Sequence, residues 1–200
     1  MTTSIFRFTI MQRKTLSTVR LILPFALATL ACNIFLGGPD YPAQTIPISS
    51  DEVTNMQNQI EQAFLAGAET GVVTLQITES QLTSFLAIKM EGQSEPPFSE
   101  PQVLLRNGQM QLHGKIHRGA FSANMLITMD VGIDAASGMP SITIVEADFG
   151  PFDAPEGLNS AISTLIEAAF TGSFGPVATG IRIESISIAD GVMTLVGRIK

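Results

Sequence analysis

The sequence predicts an α+β fold, with one curved antiparallel sheet of six to seven strands and two or three helices packed on its concave apolar face. Three observations carry this. Residues 186–199 are a second copy of residues 103–116: Val103, Leu105, Met110, Leu112, Gly114, Lys115 and Ile116 correspond to Ile186, Ile188, Met193, Leu195, Gly197, Arg198 and Ile199. Each copy is centred on Asn107-Gly108 or Asp190-Gly191, which supply the two positive φ angles of a tight hairpin turn between alternating apolar residues. Finally, the helical stretches each have a single apolar face, and that face must be covered.

The elements follow in order. Ser49-Ser50-Asp51-Glu52 has the form of a capping box, and Val53, Met56, Ile60 and Phe64 recur at helical spacing, giving a first helix that ends near Gly67. Residues 72–78 alternate as a half-buried strand, with Val73, Leu75 and Ile77 inward. Thr78-Glu79-Ser80-Gln81 caps a second helix carrying Leu82, Phe85, Leu86 and Met90 on one face. Residues 92–101 form a Pro- and Glu-rich loop, with Phe98 either on a movable flap or pinning a surface connection. In the first hairpin Met110, Leu112 and Ile116 face inward, and Gln109, Gln111, His113, Lys115 and His117 face out. Residues 121–133 make the longest strand, with Phe121, Ala123, Met125, Ile127, Met129, Val131 and Ile133 on one face. Residues 142–149 return antiparallel to it, and a third helix begins at Leu158 with Ile162, Leu165, Ile166 and Phe170 on its apolar face.

Charge is unevenly placed. The chain has net charge −7, yet its first 31 residues hold Arg7, Arg13, Lys14 and Arg20 and no acid, leaving −11 on the remainder. So acidic a body repels phosphate backbones, which argues against nucleic acid as a partner. The basic start precedes an apolar run over residues 21–31, too short for a membrane span and suited to a secretory signal. Translation from Met11 would give a leader of more usual length. The expected organisation is a leader over residues 1–31, a flexible tether over 32–49 rich in Gly and Pro, and one domain over 50–200. As a coil, such a tether would hold the domain about 20–25 Å from its anchor.

The end of the apolar run, Ala28-Thr29-Leu30-Ala31-Cys32, resembles the lipobox of bacterial lipoproteins, departing from it in having Thr29 where leucine is commonest. That resemblance implies cleavage before Cys32, diacylation of its thiol, and residence on a membrane of the cell envelope; Asn33 after the cysteine is compatible with the outer membrane. From the residues alone, Cys32 also fits an ordinary signal peptide or a buried free thiol.

Chemical signatures are sparse. His113 and His117 lie about 13 Å apart along a strand, too far to share a zinc ion, and are expected on a solvated face. Glu146, Asp148, Asp153 and Glu156 form an acidic cluster without the spacing of a calcium loop. No nucleophile elbow or phosphate-binding loop is present, so no catalytic residue, metal or cofactor is assigned. The methionine-rich apolar stripe either fills a closed core or lines a groove for an acyl chain, with Phe85, Leu86, Met125, Met129, Ile162, Ile166 and Met193 as the candidate lining.

A capped helix after a strand, followed by P-x-V-x-L-x-N-G-x-M-x-L-x-G over residues 101–114, resembles the LmeA-like and YceB-like helix-and-curved-sheet proteins, similar in architecture to the tubular lipid-binding superfamily. The resemblance spans most of residues 52–200 and implies a lipid-binding fold without an active site. The expected function is that of a membrane-anchored envelope lipoprotein binding a lipid or other apolar ligand. The competing expectation is a structural or assembly factor that engages an envelope protein through an exposed edge or loop.

Overall fold

Alternating apolar residues and turn dipeptides dictate strands joined by short reversals, and a computed structural model describes them over residues 33–134, 140–159, 162 and 181–199. The described chain is α+β. Its elements are β1 (Ile34–Phe35), α1 (Ser50–Thr70), β2 (Val72–Thr78), α2 (Glu79–Glu91), β3 (Ser99–Arg106), β4 (Gln109–Arg118), β5 (Phe121–Ile133), β6 (Pro140–Asp148), β7 (Ile181–Ala189) and β8 (Val192–Ile199). Leu158, Asn159 and Ile162 are helical, where the third helix was expected.

Both helices begin at the caps read from the sequence, but the box expected at Ser49–Glu52 is only half formed, because the Ser49 amide donates to Ser84 Oγ, and α1 runs past Gly67 to Thr70. Ser49 Oγ accepts the Asp51 amide at the start of α1, and Gly71 at φ 75° closes that helix by donating to Gly67. Thr78 and Gln81 form a reciprocal capping box on α2. Gly67 lies within α1 because a side chain there would strike Val73 of β2.

Both hairpins form as read. Asn107 and Gly108 have φ of 55° and 81°, Asp190 and Gly191 of 51° and 80°, as a type I′ turn requires. The registers coincide residue for residue: Val103 faces Leu112 and Leu105 faces Met110 in one, Ile186 faces Leu195 and Ile188 faces Met193 in the other. Each ladder also breaks its register beside the repeated glycine, between Ser99 and Gln102 opposite Gly114 and between Ile183 and Ser185 beside Gly197. The repeated basic residue then reaches an acid at the irregularity, Lys115 to Glu100 at 2.6 Å and Arg198 to Glu184 at 2.8 Å. The basic position of the repeat is therefore accounted for by local pairing.

The expectation of one sheet is corrected. β3, β4, β5 and β6 pair in sequence order within a five-stranded sheet to which β1 adds beside β5, whereas β2, β8 and β7 form a separate three-stranded sheet among the described residues. The two copies of the hairpin thus belong to different sheets. The outer edge of β3 explains why: side chains of α2 occupy it, Thr83 Oγ1 accepting the Val103 amide and Glu79 Oε1 the Leu105 amide. With that edge satisfied, the second hairpin pairs with β2.

The sheets meet along β5 and β7 and through their hairpin tips. The Glu79 amide donates to the Gly191 carbonyl, the Gly191 amide donates to the Leu105 carbonyl, and the Glu79 carboxylate also holds Arg106. Helix α2 lies at this junction. Its Leu86 and Met90 enter a cluster with Phe98, Val103, Leu112, Ile116, Met125, Ile127, Met129 and Leu158, and its Phe85 packs on a second cluster of Met56, Ile77, Leu105, Ile188 and Met193. Leu82 and Met110 touch both. Phe98 is 3% exposed and abuts Gly114, so the loop before β3 is pinned in the core.

Residues 35–49, read from composition as a flexible tether, run as a strap across the polar face of the larger sheet. The Leu36 amide donates to Ser122, the Asn124 amide and side chain donate to Gly37 and Pro39, and the Tyr41 hydroxyl donates to the Glu100 carbonyl. Gln102 clamps Ile46 with two bonds, and the Ser49 amide donates to Ser84 Oγ. A Pro- and Gly-rich segment orders here because polar side chains of β3, β5 and α2 supply the partners its own backbone cannot.

Candidate functional site

The apolar interior around α2 is the candidate ligand site. The structure brings Leu86, Met125 and Met129 together in one buried cluster, with Ile162 partly buried against it. Phe85 and Met193 lie in the other cluster, on the far side of Leu82 and Met110. The candidate lining is thus divided between two clusters that share two residues. Ile166 and Cys32 fall outside the described residues.

Strand β5 explains how one stripe serves both clusters. Met125, Ile127 and Met129 face the first, Val131 packs on the second, and Phe121 at the strand's start is 43% exposed, outside either core. Met125 and Ile127 have no exposed surface; burying each stabilises the fold by about 1.5–3 kcal/mol. Methionine recurs at Met90, Met125 and Met129 on one side and Met56 and Met193 on the other, with Met110 touching both, supplying unbranched, adaptable packing along each. Phe85 is half-buried, with Lys89 Nζ 5.8 Å from its ring centroid and Ile88 exposed nearby on the same helix.

The opposite face of the larger sheet holds a polar cluster that hydropathy patterning did not reveal. His113, expected in solvent, is 7% exposed because the strap covers it, with the Tyr41 ring edge-on at 6.3 Å. Neither ring nitrogen has a hydrogen-bond partner. Burial lowers the His113 pKa, and the nearby Asp40 backbone offsets part of that, although its contact falls short of hydrogen-bond geometry. The Tyr41 hydroxyl is pushed up to about 12, by burial first and by the Glu100 carboxylate second. Lys115, paired with Glu100, lies 5.6 Å from the Tyr41 ring centroid. His117 remains exposed and bonds Ser99 Oγ at 2.8 Å.

The acidic residues expected near Asp148 lie on the surface. Glu146, Asp148, Asp153 and Glu156 are exposed, and Asp148 accepts the Gly150 amide to shape the turn after β6. Among the described residues no three His, Cys, Asp or Glu side chains are placed to hold a metal ion, and no helix is long and apolar enough to cross a membrane. Comparison of the chain with protein families, with curated proteins and with solved structures found no match.

Proposed function

We propose that this chain is an envelope lipoprotein, anchored through Cys32, whose α+β domain binds a lipid or other apolar ligand and performs no reaction. The observation that carries the reading is the methionine-lined interior shared by two sheets around one helix. The clusters join at Leu82 and Met110, two unbranched-to-singly-branched side chains that can rearrange, while backbone bonds at Glu79, Leu105 and Gly191 hold the hairpin tips. An acyl chain entering beside half-buried Phe85 would pass between the clusters without breaking a strand ladder, and Lys89 at that ring would face an anionic head group.

A second reading, a structural or assembly factor, is favoured by β6. This strand pairs with β5 on one side, and its Ile144 and Val145 are 43% and 53% exposed, an apolar edge suited to an added strand of a protein partner.

Native mass spectrometry of the chain from Asn33 onward, purified without added lipid, separates the two. Ligand carriage predicts a co-purifying lipid mass and displacement of a fluorescent acyl probe, both weakened by Phe85→Ala. A protein that carries no lipid and binds no acyl probe refutes ligand carriage.

A further inference from the structure

We infer that the domain rests directly on the lipid bilayer through the end that carries Phe35, Leu36 and Phe121, with both hairpin tips held away from the membrane. The inference rests on the proposed anchoring at Cys32 and adds to it an orientation and a contact surface.

The strap fixes the distance. Leu36 and Gly37 are bonded to β5 at Ser122 and Asn124, so the chain is free of the domain for at most the four residues from Cys32 to Leu36, a reach of about 14 Å. A coil extending to residue 49 would have allowed the domain to drift. An acyl group on Cys32 instead brings the start of β5 to the head-group layer.

What lies at that end is apolar and uncovered. Phe35 is 56% exposed, Leu36 44% and Phe121 43%, and the Leu36 amide bonds the carbonyl of Ser122, the residue next to Phe121. Three large exposed apolar side chains therefore lie within two residues of one backbone bond, gathered at the end of the sheet where β5 starts. Arg118, paired with Phe121 across the β4–β5 turn, is exposed beside them, as is His117. On a body of net charge −11 after residue 31, long-range attraction to anionic lipid is weak, so the contact is carried by burial of apolar surface at the head-group boundary.

The strands set the polarity. β4 runs from Gln109 beside the Asn107-Gly108 turn to Arg118 beside Phe121, so the turn stands about 30 Å from the patch. The second hairpin's turn is bonded to Leu105 of the first, which places both tips at the distal end.

Depth-dependent quenching tests this on the full chain made in a bacterium that acylates lipoproteins. Cys32 is the sole cysteine and is consumed by acylation, so Phe121→Cys or Asn107→Cys introduces one free thiol for an environment-sensitive fluorophore. In phosphatidylcholine vesicles containing brominated lipid, the label at 121 is expected to lose emission and shift to the blue, and the label at 107 to do neither, with little change between low and high salt. Phe35→Ser combined with Leu36→Ser should reduce the quenching at 121 while the acylated mass is unchanged. Equal quenching at the two positions, or none at either, on a chain whose intact mass proves acylation overturns the orientation and leaves the lipoprotein reading standing. A mature mass without an acyl group at Cys32 overturns the lipoprotein reading, and the orientation with it.

Discussion

Glu79 ties helix α2 to both hairpin tips, and losing its carboxylate should weaken that junction. Its carboxylate accepts the Leu105 amide at 2.6 Å and holds Arg106, while its own amide donates to Gly191. Glu79→Ala leaves the amide of Leu105, a residue with no exposed surface, without its acceptor, costing about 1–3 kcal/mol. The ion pair adds under about 1 kcal/mol, because the Arg106 side chain is 48% exposed and solvent screens it. Glu79→Gln keeps an acceptor and loses only charge, including the favourable placement of an acid in the first turn of α2, about 1 kcal/mol in all. The expected order of destabilisation is therefore Glu79→Ala at about 2–3 kcal/mol, then Glu79→Gln, with Arg106→Ala at about 1 kcal/mol or less. Urea unfolding of the chain from Asn33, followed by far-ultraviolet circular dichroism, measures the series. For a domain this size the alanine variant should melt about 4–12 °C lower. A Glu79→Gln variant as unstable as Glu79→Ala would refute the argument from the orphaned amide, and an alanine variant within about 0.5 kcal/mol of the parent would refute the carboxylate's part in the junction.

Tyr41 is the sole tyrosine and the chain has no tryptophan, so absorbance titration reads the strap directly. The phenol should ionise near 12 in the folded protein and near the ordinary value of about 10 in urea; stability is thus fully present below 10 and lost as pH rises through 12, and a folded-state midpoint at 10 would mean the strap is not seated. Since His113 has its pKa lowered on folding, the unfolded chain binds the proton first as pH falls below about 6.5, and stability is lost by at most about 1.4 kcal/mol per pH unit. His113→Phe should flatten that part of the pH–stability curve, and an unchanged slope would exclude His113 as its source. A Cβ on Gly114 would lie 2.7 Å from the Phe98 ring, and one on Gly197 2.8 Å from the Arg182 carbonyl oxygen, so Gly114→Ala and Gly197→Ala should each cost about 1–3 kcal/mol by denaturant melting. Gly132→Ala on β5 meets nothing within 4 Å and should be neutral or slightly stabilising, which makes it the control.

Local structure was legible in the sequence wherever a short-range rule had no competitor. The turns at Asn107-Gly108 and Asp190-Gly191, the cap at Thr78-Gln81 and the bounds of β2 and β5 follow from φ preferences, capping chemistry and period-two alternation, each decided within a few residues. The internal repeat was legible too, down to the glycine beside each irregular register. Of the candidate residues, periodicity placed Leu86, Met125, Met129 and Met193 in the interior and Phe85 at its edge, but it had no means of telling which of them share a cluster.

Tertiary structure decided what depends on competition for partners. Two equivalent hairpins lie in different sheets, with Thr83 and Glu79 of α2, about 20 and 26 residues away, satisfying the edge of β3 that another strand would need. His113 left solvent, although its alternation pointed outward, because residues 35–49 found acceptors and donors in Asn124, Gln102, Glu100 and Ser84. Periodicity states which face of a strand is polar; it does not state what will lie on that face. The sequence by itself thus determined the ribbons, the caps and the apolar stripe, because these are set by dihedral preference and side-chain alternation. The folded chain decided how the sheets divide, where the strap lies and which end of β5 is left apolar and open, because long-range hydrogen bonds form only between groups that the rest of the fold has already brought together.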